Sequence, residues 1–557
     1  MTFKQIDTSP SSTSFVEKIF GHRLGFSLFV FSITAFTVVA PFFFLGIPSG
    51  HDFEFHMNSW MEVRNQWKQG IVYPRWAEFA HYGFGEARFI FYPPASWMLG
   101  GALGSVLPWN AVPGAFTWIA LTLSGFSMFF LAQRWLNHKD ALLAGALYLA
   151  NPYYLVIVYW RSAYAELLAG ALLPLLLLFI LRLNEERWRG ASKLGLVVAA
   201  AWLTNAPSAV MVNYSLALLV PVLAWRKRSS RILLYGVTAV VIGLGMAAFY
   251  VLPAAYEEKW VNIAQVLAPG VQPKDNFLFT TLADADHNHF NRLISLVATG
   301  EIIWLCIVGA WSWKRRDKEL WWPAVIWSAA ASLLMFSVTS IAWNHLPKLQ
   351  FVQLPWRWLL CLNVGLCLLV LLAWQSWWPK LLTYAVMLGI LAFVWHRVQN
   401  PWWDLTPDIK VLINTVQDKD GYEGTDEYVP VAGDAYEISQ TGRDVALDGS
   451  GSADIRILHW DAEERRFTAT VTEPSHLAVR LFNYPAWRVE VNGQVVTAGT
   501  REKTGQVIVP MQAGFNEARI TFIRTWDRMA GAVISVLMLL AMALVPVFGQ
   551  RTKVSSP

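Results

Sequence analysis

Residues 24–46 read LGFSLFVFSITAFTVVAPFFFLG, and residues 232–252 read ILLYGVTAVVIGLGMAAFYVL. A helix needs about 20 predominantly apolar residues to cross the hydrocarbon core of a bilayer, and both stretches meet that length. Hydrophobic types make up 55% of the 557 residues and charged types only 15%. The sequence therefore predicts an integral membrane protein, although its length alone would suggest three or four soluble domains.

The basic residues cluster in short loops between the apolar stretches, which is typical of the cytoplasmic loops of membrane proteins. If the N-terminus is cytoplasmic and the chain has about twelve spans, nearly every dense basic cluster lies on the cytoplasmic side of the membrane. The net charge of +5 is modest, and its distribution does not indicate a nucleic-acid partner. The predicted spans lie near residues 24–46, 111–132, 140–158, 164–183, 192–204, 207–225, 232–254, 294–313, 320–342, 357–375, 380–397 and 528–548.

Residues 94–106 are apolar but short, and they lie between Pro93-Pro94 and Pro108. We interpret them as an interfacial or re-entrant helix, because a span at this point would reverse every later loop and place the basic clusters outside. The three cysteines, Cys306, Cys361 and Cys367, all lie in predicted spans, so the sequence indicates neither a disulfide framework nor a zinc ribbon.

The sequence divides into a multispan membrane domain over residues 1–398, a second domain over 399–527, and a final span with a cytoplasmic tail over 528–557. In the second domain the long apolar runs give way to alternating patterns that predict strands, and Asn492-Gly493 is a hairpin-turn signal. The alternating patterns are RFTATVTE, HLAVRLFNY, WRVEVNG, GQVIVP and EARITFI. The predicted fold is an all-α polytopic membrane domain with a small extracytoplasmic β-sandwich.

The loop after the first span, residues 47–93, is predicted to face outward and begins with SGHDFEFH at 49–56. In an extended turn Asp52 and Glu54 would share a face, whereas in a helix Asp52 and His56 would. A carboxylate at this place could act as a general base toward a hydroxyl. Alternatively, Asp52, Glu54 and His56 could bind a divalent ion, and a solvated acidic loop without function is the remaining interpretation.

The rest of this loop is rich in aromatic residues, which favour the membrane interface. It includes GIVYPRW at 70–76 and HYGFGEARFIFYPP at 81–94. We expect one or two helices lying on the bilayer, with Arg75 and Arg88 available to lipid phosphate or serving only as interfacial anchors.

Further ionisable residues occur at the predicted outer ends of spans, where their burial is costly unless they face a cavity. Arg161 and Glu166 lie in NPYYLVIVYWRSAYAE at 151–166, and Arg357 begins a span in LQFVQLPWRW at 349–358. Arginine matches the geometry of phosphate, so Arg357 is a candidate phosphate clamp, with a membrane anchor as the alternative. The cluster DADHNHFNR at 284–292 could bind metal, but its loose spacing favours a solvated loop.

Several of these segments together resemble the bacterial polytopic membrane proteins labelled 6-pyruvoyl-tetrahydropterin synthase-related. The resemblance rests on HDFEFH, GIVYPRW, FYPP, YWRSAYAE and LQFVQLPWRW, and it covers most of the chain. The tail NYPAWRVEVNGQ, continued by VPMQAG, is similar to YfhO-type membrane proteins. The sequence shows neither a soluble pterin-synthase fold nor a zinc triad, so the label does not describe its chemistry.

Both families look like members of the GT-C superfamily of multispan glycosyltransferases that use polyprenyl-phosphate sugars. That resemblance implies a catalytic acidic residue at Asp52 with Glu54 beside it, a second acidic position at Glu166, and phosphate-binding residues at Arg161 and Arg357. The turn at Thr204–Pro207 lacks the histidine expected of relatives, since Asn205 and Ala206 stand there.

The leading hypothesis is therefore a transferase that moves a sugar from a polyprenyl-phosphate donor to an extracytoplasmic glycan, lipid or protein, in the inner (cytoplasmic) membrane of a bacterium. Membrane lipid is a further expected partner, no cofactor is assigned, and a divalent cation stays open. The rival hypothesis is a catalytically silent scaffold or a transporter in envelope polysaccharide assembly. The sequence shows neither the repeats nor the mid-span charges typical of transporters.

Overall fold

The computed structural model describes residues 12–397 and 402–551. These residues form a largely helical part, a small all-β part and a closing helix, as the sequence predicts. The predicted domain boundary between residues 398 and 399 lies outside the described residues, and so does the end of the predicted tail at 552–557.

The helices of the first half begin and end as follows: α1 Ser12–Val39, α2 Phe42–Leu45, α3 Phe53–Lys68, α4 Arg88–Phe91, α5 Pro94–Val106, α6 Val112–Gln133, α7 His138–Leu149, α8 Pro152–Val156, α9 Tyr164–Gly170, α10 Leu172–Glu186, α11 Trp188–Thr204 and α12 Ala206–Lys227. Those of the second half are α13 Arg231–Met246, α14 Ala248–Glu257, α15 Ala285–Trp311, α16 Trp321–Leu334, α17 Ser340–His345, α18 Leu359–Ala373, α19 Trp377–Arg397, α20 Thr406–Gln417 and α21 Trp526–Arg551.

Among the described helices, eight segments are long and apolar enough to cross a membrane. They are Leu24–Leu45, Val112–Gln133, His138–Arg161, Tyr164–Glu186, Ala206–Lys227, Ala285–Arg315, Pro355–Ala373 and Trp526–Ala543. Two helix pairs qualify only together and are strongly bent, α13 with Ala248–Trp260 by 77° and α16 with Ser337–His345 by 90°.

The prediction of about twelve spans is thus corrected to eight, or to ten if each bent pair counts as one span. The difference lies in α11, which has 17 residues, and in Trp377–Phe393 of α19, which is also a shorter apolar helix. Seventeen residues make about 25 Å of helix, less than the roughly 30 Å of a hydrocarbon core. The predicted segments 192–204 and 380–397 end at the same residues as α11 and α19, so the error was to count such short apolar segments as spans. Which side of the membrane each loop faces stays a prediction.

Helix α5 has 13 residues and is not among the membrane-length helices, as predicted for residues 94–106. It packs against α3, the helix of the first loop. Trp60 and Val63 of α3 are fully buried, and a Cβ at Gly100 of α5 would lie 2.3 Å from the Trp60 ring. The expectation that this loop lies on the bilayer surface is therefore wrong for α3, which is enclosed between α5 and α20.

Eleven strands occur in the described residues, and nine of them form the β-domain. The strands are β1 Ile47–Pro48, β2 Trp403–Asp404, β3 Val445–Leu447, β4 Ala453–Trp460, β5 Glu464–Val471, β6 Ser475–Phe482, β7 Trp487–Val491, β8 Gln494–Val496, β9 Gly499–Thr500, β10 Gln506–Met511 and β11 Gly514–Phe522. One sheet has the order β3-β6-β10-β9 and the other β4-β5-β11-β7-β8.

The inward side chains of both sheets share one apolar core that includes Phe467, Val479, Val509 and Ile520. The β-sandwich prediction is therefore confirmed, and all five alternating patterns fall on strands. Asn492 and Gly493 have φ values of 52° and 78° and connect β7 to β8 as a tight hairpin turn, as their sequence indicates.

A buried ion pair between two helices also contacts the β-domain. Arg528 at the start of α21 donates from Nε and Nη2 to the two carboxylate oxygens of Glu257 in α14, both at 2.7 Å. The hydroxyl of Tyr484, which follows β6, donates to the same carboxylate at 2.5 Å. The charge pair therefore holds α21 against α14 by two parallel hydrogen bonds, and the Tyr484 hydrogen bond links the sandwich to it.

Candidate functional site

The first loop is anchored to the end of a broken helix. Gly50 lies so close to the turn at residues 160–161 that a Cβ would come within 2.3 Å of the Trp160 carbonyl oxygen. The Asp52 N–H donates to the Arg161 carbonyl at 2.8 Å, and the Gly50 N–H donates to Ser162 Oγ at 3.0 Å. Asp52 then occupies the N-cap position of α3, with a partly exposed side chain.

Arg161 ends a π-helical turn, Ile157–Arg161, that continues α8. Ser162 follows with φ 51°, a left-handed conformation that stops the helix and turns the chain toward α9. A π-turn adds a residue to the helical turn and often marks a functional site. Here the turn directs the Arg161 guanidinium to Asp52 Oδ2 at 3.3 Å and to Glu166 Oε2 at 2.5 Å.

Glu166 lies at the centre of the arrangement and is almost completely buried. Its Oε2 accepts from Arg161 Nη1 and from Arg357 Nε, the latter at 3.0 Å. Its Oε1 accepts from the hydroxyl of Tyr153. Desolvating a carboxylate is costly, and three donors of which two are cationic offset that cost.

Arg357 approaches the site from a short 3-10 turn, Pro355–Trp358, that precedes α18. Its Nη1 donates to the Val352 carbonyl at 2.8 Å and to Gln353 Oε1 at 2.9 Å, so the guanidinium is held in place. Trp356 lies beside it in sequence and stacks against Arg161, whose guanidinium carbon is 5.0 Å from the ring centroid. The planar forks of both arginines are thereby oriented toward Glu166.

The residues Asp52, Tyr153, Arg161, Glu166 and Arg357 are called the Glu166 cluster below. Its two carboxylates and two guanidiniums balance in formal charge. Arg161 and Glu166 are 3% and 1% exposed, whereas the Asp52 side chain is 39% exposed. The cluster thus has a buried floor and one partly exposed carboxylate, that of Asp52, at its rim. Four residues predicted from separate segments converge here, although their roles stay predictions.

Glu54 and His56 do not join the cluster. The structure selects the helical alternative, because α3 begins at Phe53 and the His56 N–H donates to the Asp52 carbonyl at 3.2 Å. Glu54 lies exposed in the first turn of α3. His56 is buried among aromatic rings, including those of Tyr92 and Tyr164, and burial lowers the pKa of His56 to about 4. His56 is therefore neutral at physiological pH.

The metal alternative finds no support in the arrangement. In residues 12–397 and 402–551, no three His, Cys, Asp or Glu side chains stand close enough to hold a metal ion. Glu54 and His56 point to different surroundings, one to solvent and one to the interior. In the segment 284–292, Asp284 caps the N-terminus of α15 by accepting from the N–H groups of Asp286 and His287.

Arg88 is not available to lipid phosphate, contrary to the sequence prediction. It is 1% exposed, and its Nε donates to Glu86 Oε1 at 2.5 Å while its Nη1 donates to Ser59 Oγ at 3.0 Å. Arg75 is partly exposed and its guanidinium carbon is 5.1 Å from the centroid of the Tyr73 ring. Burial lowers the pKa of Arg75. A lipid-binding role for Arg75 stays a prediction.

Glu86 belongs to a second buried cluster that sequence reasoning missed. Its carboxylate accepts from Arg88, from His81 Nε2 at 3.0 Å and from the Thr425 N–H at 2.8 Å. Burial alone would raise the pKa of Glu86, but Arg88, His81 and Thr425 outweigh burial and hold that pKa at about 2. The donors come from the first loop and from the segment leading to the β-sandwich.

Glu62 of α3 extends this second cluster. Its Oε1 accepts from the Phe79 N–H at 2.7 Å and from the Tyr422 hydroxyl at 3.2 Å. Burial, with the nearby charge of Glu78, raises the pKa of Glu62 to about 8. We call Glu62, His81, Glu86, Arg88, Tyr422 and Thr425 the Glu86 cluster. Tyr422 lies 360 positions after Glu62, so no local motif could have predicted that these residues meet.

Two members of the Glu166 environment were also missed. Tyr153 and Trp356 both lie in segments whose charged residues were singled out, but their aromatic character suggested only interfacial packing. Tyr153 and Glu166 are 13 residues apart, and the π-turn between them explains how they meet. Glu301 was missed as well: it lies within the span Ala285–Arg315 and accepts from Asn363 Nδ2 at 2.8 Å. This span therefore contains an ionisable residue, contrary to the sequence prediction of no mid-span charges.

No curated protein matches the chain significantly. Among solved structures the chain is similar to ArnT from Cupriavidus metallidurans, whose crystal structure has undecaprenyl phosphate bound, at 14% identity and a TM-score of 0.43. The similar region covers 68% of this chain and 64% of that one, less than two thirds of its length.

A family model described as a 6-pyruvoyl-tetrahydropterin synthase related domain of membrane proteins matches residues 89–400, which is more than half of the chain. The match includes α6 to α18 and contains Arg161, Glu166 and Arg357, whereas Asp52 and the β-sandwich lie outside it. The chain therefore belongs to the family of 6-pyruvoyl-tetrahydropterin synthase related membrane proteins.

Proposed function

We propose that this protein is a GT-C type membrane glycosyltransferase that moves a sugar from a polyprenyl-phosphate donor to an acceptor hydroxyl on the extracytoplasmic side. The observation that carries the proposal is the convergence of Asp52, Arg161, Glu166 and Arg357 in one ion network. These residues come from three separate parts of the chain. Transfer of a sugar from a phosphate leaving group needs a base for the acceptor hydroxyl and positive charge for the phosphate. A carboxylate at the rim and guanidiniums behind it can supply these.

In the proposed reaction, Asp52 takes the proton from the acceptor hydroxyl as its oxygen bonds to the anomeric carbon of the donor. The bond between that carbon and the phosphate oxygen breaks, and the polyprenyl phosphate leaves with the electron pair. Arg357 stabilises the negative charge that develops on the phosphate. Asp52 suits the first role because its side chain is 39% exposed, so an acceptor can reach it.

Arg161 and Glu166 act as positioning residues in this proposal. Glu166 is saturated by three donors and buried, which leaves it no access to an acceptor. Arg161 joins Asp52 to Glu166 and is 3% exposed, so its contacts favour orientation of Asp52 over direct phosphate binding. This division narrows the roles that the family resemblance implies, in which Glu166 is catalytic and both arginines bind phosphate.

The decisive experiment compares wild-type protein and Asp52→Asn in liposomes supplied with polyprenyl-phosphate sugars. We expect turnover to fall by about 10²–10⁴-fold, the usual contribution of a general base. The thermal unfolding temperature should change little, because the amide still accepts a hydrogen bond from Arg161. Turnover of Asp52→Asn at the wild-type rate would remove Asp52 from the mechanism.

A second candidate is a catalytically silent scaffold in envelope polysaccharide assembly. One observation favours it: the two carboxylates and two guanidiniums of the Glu166 cluster already neutralise one another. In that case a strain carrying both Asp52→Asn and Glu54→Gln would keep its glycan profile, while deletion of the whole protein would alter the envelope. A changed glycan profile in the double variant would exclude the scaffold.

A further inference from the structure

Three aromatic rings from distant parts of the chain meet beside the exposed edge of Asp52. The ring of His51 lies 5.4 Å from that of Phe290 and 6.0 Å from that of Trp402, measured between centroids. His51 precedes Asp52 in the first loop, Phe290 lies in the first turns of α15, and Trp402 directly precedes β2. We call His51, Phe290 and Trp402 the aromatic rim.

The aromatic rim is built into the fold. The pairing of β1 with β2 brings Trp402 to the first loop, and the Trp402 carbonyl accepts from the Ser49 N–H at 2.7 Å. Phe290 packs edge-to-face against Trp356, with ring centroids 5.6 Å apart and ring planes at 70°, and Trp356 is the residue that packs on Arg161. The rim is thereby continuous with the Glu166 cluster.

Two further features separate these rings from ordinary packing and from a membrane anchor. Phe290 and Trp402 are only partly buried and His51 is exposed, whereas Trp356 behind them is buried. The rim also adjoins the partly exposed carboxylate of Asp52, and a charge is unfavourable next to hydrocarbon. The rings therefore lie next to a charged side chain that is partly open to solvent.

We propose that the aromatic rim is a carbohydrate-binding platform that holds the sugar ring of the acceptor or donor against Asp52. A pyranose has an apolar face of C–H bonds and an edge of hydroxyls. The ring faces of Trp402 and Phe290 would pack against the C–H face of the sugar. The Asp52 carboxylate and the His51 imidazole would form hydrogen bonds with its hydroxyls. The proposal rests on the proposed transferase function and adds a substrate class and the residues that recognise it.

The test measures sugar binding without turnover. Protein is placed in phosphatidylcholine nanodiscs, because maltoside detergents would compete, and methyl glycopyranosides are added as probes in saturation-transfer NMR titrations. We expect wild-type protein to bind at least one of these probes and Trp402→Ala to bind it about threefold to tenfold more weakly, while Trp402→Phe keeps most of the affinity. Trp225→Ala is the matched control, since Trp225 is 80% exposed at the end of α12.

Three results would overturn the platform: no methyl glycopyranoside binds wild-type protein, Trp402→Ala binds as wild type, or Trp225→Ala weakens binding equally. A lower unfolding temperature of Trp402→Ala with unchanged binding would assign Trp402 to packing alone and also overturn it. The binding titrations contain no lipid-linked donor, so they test the platform alone. The transferase function is tested separately by turnover in liposomes, and it fails if that turnover does not depend on Asp52.

Discussion

The Glu166 cluster and the Glu86 cluster are built alike but differ in exposure. Each pairs a buried glutamate with arginine at 2.5 Å, and each links the first loop to a distant part of the chain. In the Glu86 cluster, Glu62, Glu86 and Arg88 are at most 1% exposed, and its remaining members hold the segment before the β-sandwich. In the Glu166 cluster, the side chain of Asp52 is 39% exposed.

This difference teaches that a buried ion pair by itself does not mark a functional site. Such a pair contributes little net stability compared with apolar packing, yet removing one partner is costly because the other charge stays buried. Both clusters therefore hold parts of the fold together, whereas only the Glu166 cluster has the partly exposed carboxylate that the proposed function needs. The following predictions test that distinction.

The largest effect is expected from neutralising the central glutamates. Glu86→Gln and Glu166→Gln each leave a buried arginine uncompensated, so each should lower the free energy of unfolding by roughly 3–5 kcal/mol. Below the unfolding temperature, only Glu166→Gln should reduce turnover strongly, because it releases Arg161 and Arg357. Thermal unfolding and liposome turnover of both variants provide the comparison. Equal loss of turnover in folded Glu86→Gln would contradict the distinction.

The second effect concerns the pH dependence of stability in the Glu86 cluster. Burial raises the pKa of Glu62 to about 8, so folding favours its protonated form. The stability that Glu62 contributes is fully present below its unfolded pKa of about 4.5, declines as pH rises, and is gone once pH passes the folded value. The loss amounts to at most roughly 4 kcal/mol.

We therefore expect the unfolding temperature to fall between pH 5 and pH 8, and Glu62→Gln to flatten that slope. Asp52→Asn, which changes the other cluster, should keep the wild-type slope. The measurement is thermal unfolding at several pH values in nanodiscs. If the unfolding temperatures of wild-type protein and Glu62→Gln had the same pH dependence, folding would not raise the pKa of Glu62.

A smaller effect should follow from Arg357→Lys. Lysine keeps the positive charge but cannot reproduce hydrogen bonds from Nε to Glu166 and from Nη1 to Val352 and Gln353 together. We expect the KM for the lipid-linked donor to rise about tenfold and kcat to fall less. Arg488→Lys is the control, since Arg488 is 48% exposed on β7. An unchanged donor KM in Arg357→Lys would remove Arg357 from phosphate binding.

The smallest effect is expected from Glu54→Gln, although the family resemblance places Glu54 beside the catalytic acid. Glu54 is exposed on the first turn of α3 and lies outside both clusters. Stability should change by less than about 0.5 kcal/mol and turnover by less than about twofold. A loss of turnover close to that of Asp52→Asn would bring Glu54 into the reaction.

Much of the fold follows from local patterns. The long apolar runs predict membrane helices, and the alternation in residues 466–523 predicts the strands of the sandwich, because side-chain periods of 3.6 and 2 decide which face is buried. The short helix α5 is predicted correctly from its length. The number of spans is not, because short apolar segments such as that of α11, with 17 residues, were counted as spans and because composition does not reveal the 77° bend between α13 and Ala248–Trp260.

The candidate site was predicted in part. Arg161, Glu166 and Arg357 were singled out because charges at the ends of apolar segments are costly, and Asp52 because it lies in a short acidic motif of the first loop. Arg88 was singled out as a candidate contact to lipid phosphate in the same loop, yet it lies in the Glu86 cluster. Sequence alone could not separate these cases, since both contain an arginine and a glutamate a few residues apart.

The sequence by itself determined that this chain is a membrane protein with an appended sandwich, and it predicted unusual charges near the ends of several spans. Only the tertiary structure decided which charges meet. The π-turn at Ile157–Arg161 is a local irregularity of a helix, whereas the pairing of β1 with β2 and the enclosure of α3 are long-range contacts. Apolar burial depends on each segment's own composition, whereas an ion pair depends on the positions of two segments that are distant in sequence.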